Sequence, residues 1–200
     1  MLTLTHPNIM PVIGFNLEHG IILTEYMRKG SLYNVCTEMQ STSQLLKYIF
    51  DVTNGLKYIH GKKYIHRDLD TTNVFVDNHN NCRIGDLENA VFIGNSQNYI
   101  QKGKFVQSYH YPKEAFNNQI FSYASDIYSL AYLVMEVLLS PRVKASAKKK
   151  YYVSELKKIS NSERCPDNLY QIVMKALLPN PQERPIIEDF HNVVESLLND

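Results

Sequence analysis

The stretch YIHRDLDTTNVFVD, residues 64–77, sets His66, Arg67, Asp68, Asp70 and Asn73 directly ahead of the short apolar run Val74, Phe75, Val76. Carboxylates, an imidazole and an amide oxygen gathered this closely can accept a proton, orient a hydroxyl or ligate a hard cation. A second short run, CRI at 82–84, follows the turn-rich DNHNN. A hairpin centred near His79 would then set Asn73 opposite Gly85 and next to Asp86. Asn73 and Asp86, thirteen residues apart in sequence, would share one end of that hairpin. A single His or Asp beside a turn is more often a cap or a core hydrogen-bonder. The joint spacing of Asp68, Asn73 and Asp86 argues against that bland reading.

The surrounding elements are those that must hold these groups in place. The runs VIGFNL and IILTEYM flank EHG and predict a hairpin of two strands. Leu45, Ile49, Val52, Leu56 and Ile59 mark one face of a helix over about 43–60, with Gly61 as its C-terminal cap. Residues 90–111 are polar and irregular, a loop longer than compact domains tolerate without a functional reason. The segment 126–139 is apolar all round and predicts a buried helix. A further helix over about 168–178 stops at Pro179. The last begins at Pro185, with Ile187, Phe190, Val194 and Leu197 on one stripe. The fold class is α+β, mainly α.

With 200 residues the chain suffices for one ordinary domain, and its net charge of +1 argues against a general nucleic-acid or membrane-surface binder. The only basic run, Lys148-Lys149-Lys150, reads as a solvated loop. Cys36, Cys82 and Cys165 show no pairing pattern, and the histidines show no zinc spacing. The start, MLTLTHPNIMP, lacks a basic n-region and meets Pro too early for a signal peptide. The most apolar stretch, IYSLAYLVMEVLLS, is short for a bilayer and contains Glu136. The expectation is a soluble cytoplasmic protein.

HRDLDTTN fits H-R-D-L-x-x-x-N, and here the chain resembles the eukaryotic protein kinases, most nearly the tyrosine-kinase-like serine/threonine type. The resemblance implies that Asp68 meets the incoming hydroxyl, that Asn73 and Asp86 ligate Mg2+, and that ATP is the phosphoryl donor. It also implies that His66 orients the loop and that Arg67 accepts a phosphate from the activation segment. HPNI at 6–9 resembles the turn leaving the small-lobe helix, and IILTEYMRKGSL the strand, hinge and following helix around adenine. Thr24 is then the gatekeeper, Glu25 to Met27 offer backbone hydrogen bonds to the base, and Phe75 lies under it. YPKEAF stands where kinases have Ala-Pro-Glu, so Glu114 pairs with Arg184 of NPQERP, and Asp126 braces the catalytic loop. Residues 1–27 would be a small-lobe remnant with the hinge, and 28–200 a kinase-like C-terminal lobe.

Three features depart from that pattern. No two glycines stand at G-x-G spacing, and the first lysine is Lys29, already past the hinge, so no phosphate loop or strand Lys is visible. MLTL itself reads like the end of a helix. Asp70 stands where serine/threonine kinases carry a Lys toward the γ-phosphate. At ~6 Å and an effective dielectric near 20, each unit charge pair is worth about 3 kcal/mol. That sign is wrong for a triphosphate unless a neighbour such as Arg67 neutralises it. The third departure is DLE in place of Asp-Phe-Gly. Leu87 can replace the apolar Phe, but Glu88 lacks glycine's freedom at positive φ and either faces solvent or ligates Mg2+. Two functions follow: a protein kinase acting on protein hydroxyls, Ser/Thr preferred, inactive as these 200 residues alone; or a pseudokinase that binds protein partners.

Overall fold

The computed structural model describes residues 4–16, 18–102, 108–140 and 149–199. The first hairpin forms: β1 (Val12–Asn16) pairs antiparallel with β2 (Ile21–Thr24), Asn16 opposite Ile21, with a bulge between Val12 and Gly14. Its turn closes where the His19 N–H donates to Asn16 Oδ1 at 3.0 Å and Gly20 takes φ +63°. Both strands are largely exposed, Ile13 by 65% and Leu23 by 57%. Leu17 of the predicted run lies outside the described residues, as do 1–3 of MLTL.

Two helices follow, α1 (Leu32–Cys36), capped by Ser31, and α2 (Thr42–Gly61). Ser41 Oγ accepts from the Gln44 N–H at 3.2 Å, satisfying an orphan donor at the start of α2. Leu45, Ile49, Val52, Leu56 and Ile59 are all buried, as their spacing predicts. Gly61 stays helical instead of capping the helix. Lys62 closes it, its N–H shared between Tyr58 O and Ile59 O, and the left-handed residue is Lys63 at φ +64°. Gly55 serves a close approach, since a Cβ there would lie 2.6 Å from Asn8 O.

Beyond β3 (Tyr64–Ile65), the hairpin of β4 (Val74–Val76) and β5 (Cys82–Ile84) pairs Val74 with Ile84 and is centred on His79. A 3₁₀ turn, Leu87–Asn89, leads into β6 (Val91–Phe92), which pairs with β3. Next, β7 (Tyr99–Ile100) pairs with β8 (Ile120–Phe121), and α3 (Lys113–Asn118) lies between them in sequence. The segment 90–111, expected as plain loop, is therefore tied down at two places. Two-residue strands carry too short a pattern to be read from sequence. Residues 103–107 within it lie outside the described residues.

The centre of the core is α4 (Tyr123–Leu139), opened by a reciprocal Ser122–Ser125 capping box and buried on nearly every face. Against it pack α5 (Lys149–Ile159) and α6 (Asp167–Ala176), while α7 (Ile187–Asn199) lies along α2. Neither α3 nor α5 was expected from the sequence. Pro185 precedes the last helix by two residues rather than opening it. Lys149 is not in a solvated loop: its Nζ donates to Leu177 O at 2.8 Å and lies 4.8 Å from the Tyr128 ring centre. Lys148 lies outside the described residues. Among the described residues the architecture is mainly α with four small strand pairs.

Candidate active site

The chain enters the site at a turn held by one buried carboxylate. Asp126, 1% exposed at the start of α4, accepts from the backbone N–H of His66 (2.8 Å) and of Arg67 (2.9 Å), and contacts His60 Nε2 at 2.9 Å. Arg67 sits at φ +72°, a left-handed conformation that costs of order 1–3 kcal/mol for a non-glycine residue. The paired Asp126 hydrogen bonds offset that strain and aim the next residue, Asp68, outward.

His66 ties the turn to the hairpin. Its Nδ1 accepts the Asp68 N–H at 3.2 Å, so the ring proton is assigned to Nε2, which faces Gly85 O at 3.0 Å. At the hairpin end the Gly85 N–H donates to Asn73 O at 2.8 Å. Asn73 Nδ2 donates to Asp68 O at 2.8 Å and to Asp68 Oδ2 at 3.2 Å. Asp86 follows at φ +51°, which a short acidic side chain tolerates, and its carboxylate makes no capping hydrogen bond. Burial, then the Asp68 charge, pushes the Asp86 carboxyl above its usual range. Asp68 is held below that range chiefly by His110, against the effect of burial.

A cleft of about 640 Å³ opens over this end, lined by Thr24, Glu25, Met27, Phe75, Gly85 and Asp86 among others. A second space of about 360 Å³ shares Thr24, Gly85 and Asp86 and adds Val12, Ile22 and Glu88. The combined size suits a nucleotide-sized ligand. Gly85 is required beneath Phe75, because a Cβ there would meet the ring at 2.8 Å. Within the expected base-binding stretch, Met27 O already accepts from the Gly30 N–H at 3.0 Å, and Glu25 pairs with Arg83 Nη1 at 2.7 Å.

The network around Asp70 was not read from the sequence. Asp70 Oδ1 accepts from the Thr72 N–H at 2.5 Å, and Oδ2 lies 3.4 Å from Tyr109 Oη and 3.7 Å from His110 Nδ1. His110, not Arg67, is thus the basic group facing Asp70. Tyr109 Oη also donates to Glu136 (2.9 Å), which accepts from Thr71 Oγ1 (2.8 Å) and Tyr152 Oη (3.0 Å) as well. Burial raises the Glu136 carboxyl above its ordinary value. Glu136 as a lone acid in an apolar run, and the odd triplet Tyr109-His110-Tyr111, were the available signals.

A family profile described as protein tyrosine and serine/threonine kinase matches residues 1–197. The chain belongs to the protein kinase family. A relative, the tyrosine-protein kinase receptor svh-2 of Caenorhabditis elegans, is 30% identical over 210 aligned positions. The match takes in 96% of this chain and 19% of that protein, so the chain spans about a fifth of the length of the curated relative it matches. The preference for Ser/Thr gains nothing from a relative named as a tyrosine kinase.

In this kinase chain the fold is that of the C-terminal lobe, with β1 and β2 as a two-strand remnant of the N-terminal one. Arg67 packs against the β7–β8 strand pair. Its guanidinium lies 4.9 Å from the ring centres of both Tyr99 and Phe121, and Nη2 donates to Gln101 at 2.7 Å. Arg184 and Glu114 pair at 2.6 Å, and Arg184 Nη1 also donates to Ala124 O at 2.9 Å. The positive φ falls on Asp86; Glu88 takes an ordinary 3₁₀ conformation and is exposed, while Leu87 packs on the core. Among the described residues, no helix is long and apolar enough to cross a membrane.

Proposed function

We propose that this chain forms the catalytic-loop side of an ATP-dependent protein kinase site, with residues 28–200 as the large lobe and 1–27 as the hinge and the end of the small lobe. In this reading Asp68 accepts the proton of a protein hydroxyl, and His66 and Asp126 hold the loop that carries it. The observation that carries the reading is the convergence of Asp68, Asn73 and Asp86 at one hairpin end, below a cleft that also contains Thr24 and Phe75. Phosphoryl transfer depends chiefly on positioning and charge stabilisation, which such a constellation can supply.

The residues fit a magnesium ion. Asp86 faces the cleft without a capping bond, and Asn73 spends its amide N–H on Asp68, leaving Oδ1 as a ligand. Among the described residues no three His, Cys, Asp or Glu form a metal cluster. A cation would rest on this carboxylate–amide pair plus nucleotide phosphates, which is how Mg2+ is commonly held. Bound there, Mg2+ would neutralise phosphate charge. Whether the acceptor hydroxyl belongs to Ser/Thr or to Tyr is a finer choice. The sequence pattern favours Ser/Thr, and the relative favours Tyr.

A second reading, a pseudokinase binding protein partners, is favoured by the acids Asp70 and Glu88 at the phosphate end. Thermal-shift titration with magnesium and ATP separates the two. The kinase reading expects a rise in midpoint that Asp86→Asn abolishes. No rise at millimolar ligand would overturn it.

A further inference from the structure

Asp70 sets a second carboxylate two residues beyond Asp68, and like charges this close must be held apart or bridged. The group that separates them comes from outside the catalytic loop. The His110 side chain is 3% exposed and stands between the two acids, Nε2 at 3.5 Å from Asp68 Oδ1 and Nδ1 at 3.7 Å from Asp70 Oδ2. We infer that His110 is a positioning residue for phosphoryl transfer, fixing the Asp68 carboxylate and keeping Asp70 away from it. The inference rests on the kinase reading of the same site.

The ring has little freedom. It meets the Tyr109 and Tyr111 rings edge-on, with centres 5.5 and 4.9 Å away. The His110 backbone carbonyl accepts from Ser129 Oγ of α4 at 3.2 Å, which anchors it to the buried central helix. Ser108 Oγ lies 2.8 Å from Nδ1. A hydroxyl donating there leaves the ring proton on Nε2, the nitrogen aimed at Asp68. Nε2 is buried and has no hydrogen bond of full geometry, and Asp68 Oδ1 lies 3.5 Å from it. A buried donor left this way is costly unless a partner closes on it, and Asp68 is the acceptor in reach.

Among the described residues, Asp68 also accepts from Asn73 Nδ2 at 3.2 Å and has Asn89 Nδ2 and Tyr111 Oη at 3.5 Å. Asp70, by contrast, is tied down by Thr72 and lies beside Tyr109. The pair therefore splits into one restrained acid and one available acid, with His110 as the divider. The tripeptide 109–111 thereby holds Asp70 apart from Asp68.

Nitrogen-15 NMR of the His110 ring in the 200-residue protein tests the assignment. The expected result is a proton on Nε2, with ring-nitrogen signals that shift in Asp68→Asn and stay in place in Glu88→Gln. Should Asp68→Asn fail to fold, Asp68→Glu, which moves the carboxylate by one methylene, must shift the same signals. A proton on Nδ1, or a ring indifferent to Asp68, would overturn the inference and mark His110 as a packing residue. Failure of the kinase reading shows separately, as the absence of a magnesium–ATP response with the ring coupling intact.

Discussion

Arg184 donates from Nη1 to Glu114 Oε1 at 2.6 Å and from Nη2 to Oε2 at 3.1 Å, joining the segment ahead of α7 to the start of α3. The Arg184 side chain is wholly buried, lies 4.9 Å from the Tyr128 ring centre and donates further to Leu178 O and Pro179 O. Removing one partner strands the other charge. Glu114→Ala should therefore cost about 3–5 kcal/mol of stability in urea unfolding. A loss below ~1 kcal/mol would mean that the carbonyls alone satisfy the guanidinium.

Gly85→Ala acts on the cleft rather than on the core. The added methyl must push the Phe75 ring, 2.8 Å away, off its rotamer, at an expected cost of about 0.5–1.5 kcal/mol. The midpoint should fall by only a few degrees, whereas the ATP-induced thermal shift should be largely lost. An unchanged nucleotide response would remove Phe75 from the base-binding floor.

Glu136 gives the protein a predictable pH dependence. Burial raises its carboxyl in the folded state, so the folded chain holds this proton more tightly than the unfolded one. The stabilisation is fully present below the unfolded value of about 4.3 and is lost as pH rises through the folded value. Glu136→Gln cannot titrate. Relative to wild type, the variant should gain stability as pH is raised above ~4.3 and level off once pH passes the folded value, checked by thermal midpoints at matched ionic strength. A pH-independent difference would refute the shift.

Residues 1–200 by themselves should transfer no phosphate. The glycine pattern and a lysine ahead of the hinge, which supply triphosphate positioning elsewhere in the family, are not among these residues. Radiolabel passing from ATP to a generic protein substrate, above an Asp68→Asn control, would contradict this.

Hydrogen exchange should divide the chain sharply. The strands of the first hairpin are exposed along their length, Ile21 to Leu23 by 56–57%, while Leu130, Ala131 and Val134 are fully buried. Isolated two-stranded hairpins are marginal, so the amides of β2 should exchange much faster than those of α4. Equally slow exchange in the monomer would mean that β1 and β2 are protected by packing not evident in their exposure.

Local periodicity and turn chemistry were legible without coordinates. The α2 stripe, the all-round apolar α4 and the hairpin centred on His79 each repeat a pattern inside one element. The two-residue strands β6 and β7 are too short to carry a period, and the longer α3 and α5 were not read either. Lys149 looked solvated because a lysine's carbonyl and ring partners, here Leu177 and Tyr128, are remote in sequence.

For the site, sequence alone determined which groups are present and how far apart Asp68, Asn73 and Asp86 must lie along one hairpin. It also exposed Asp70 as the charge that does not belong. What faces that charge only the tertiary structure decided. His110 is forty residues away and reaches Asp70 because the Ser129 hydroxyl of α4 holds the His110 carbonyl. The same holds for Arg67, whose ring partners Tyr99 and Phe121 meet only through the β7–β8 pairing. Charge balance in a buried site depends on distances through space, and a linear pattern records only distances along the chain.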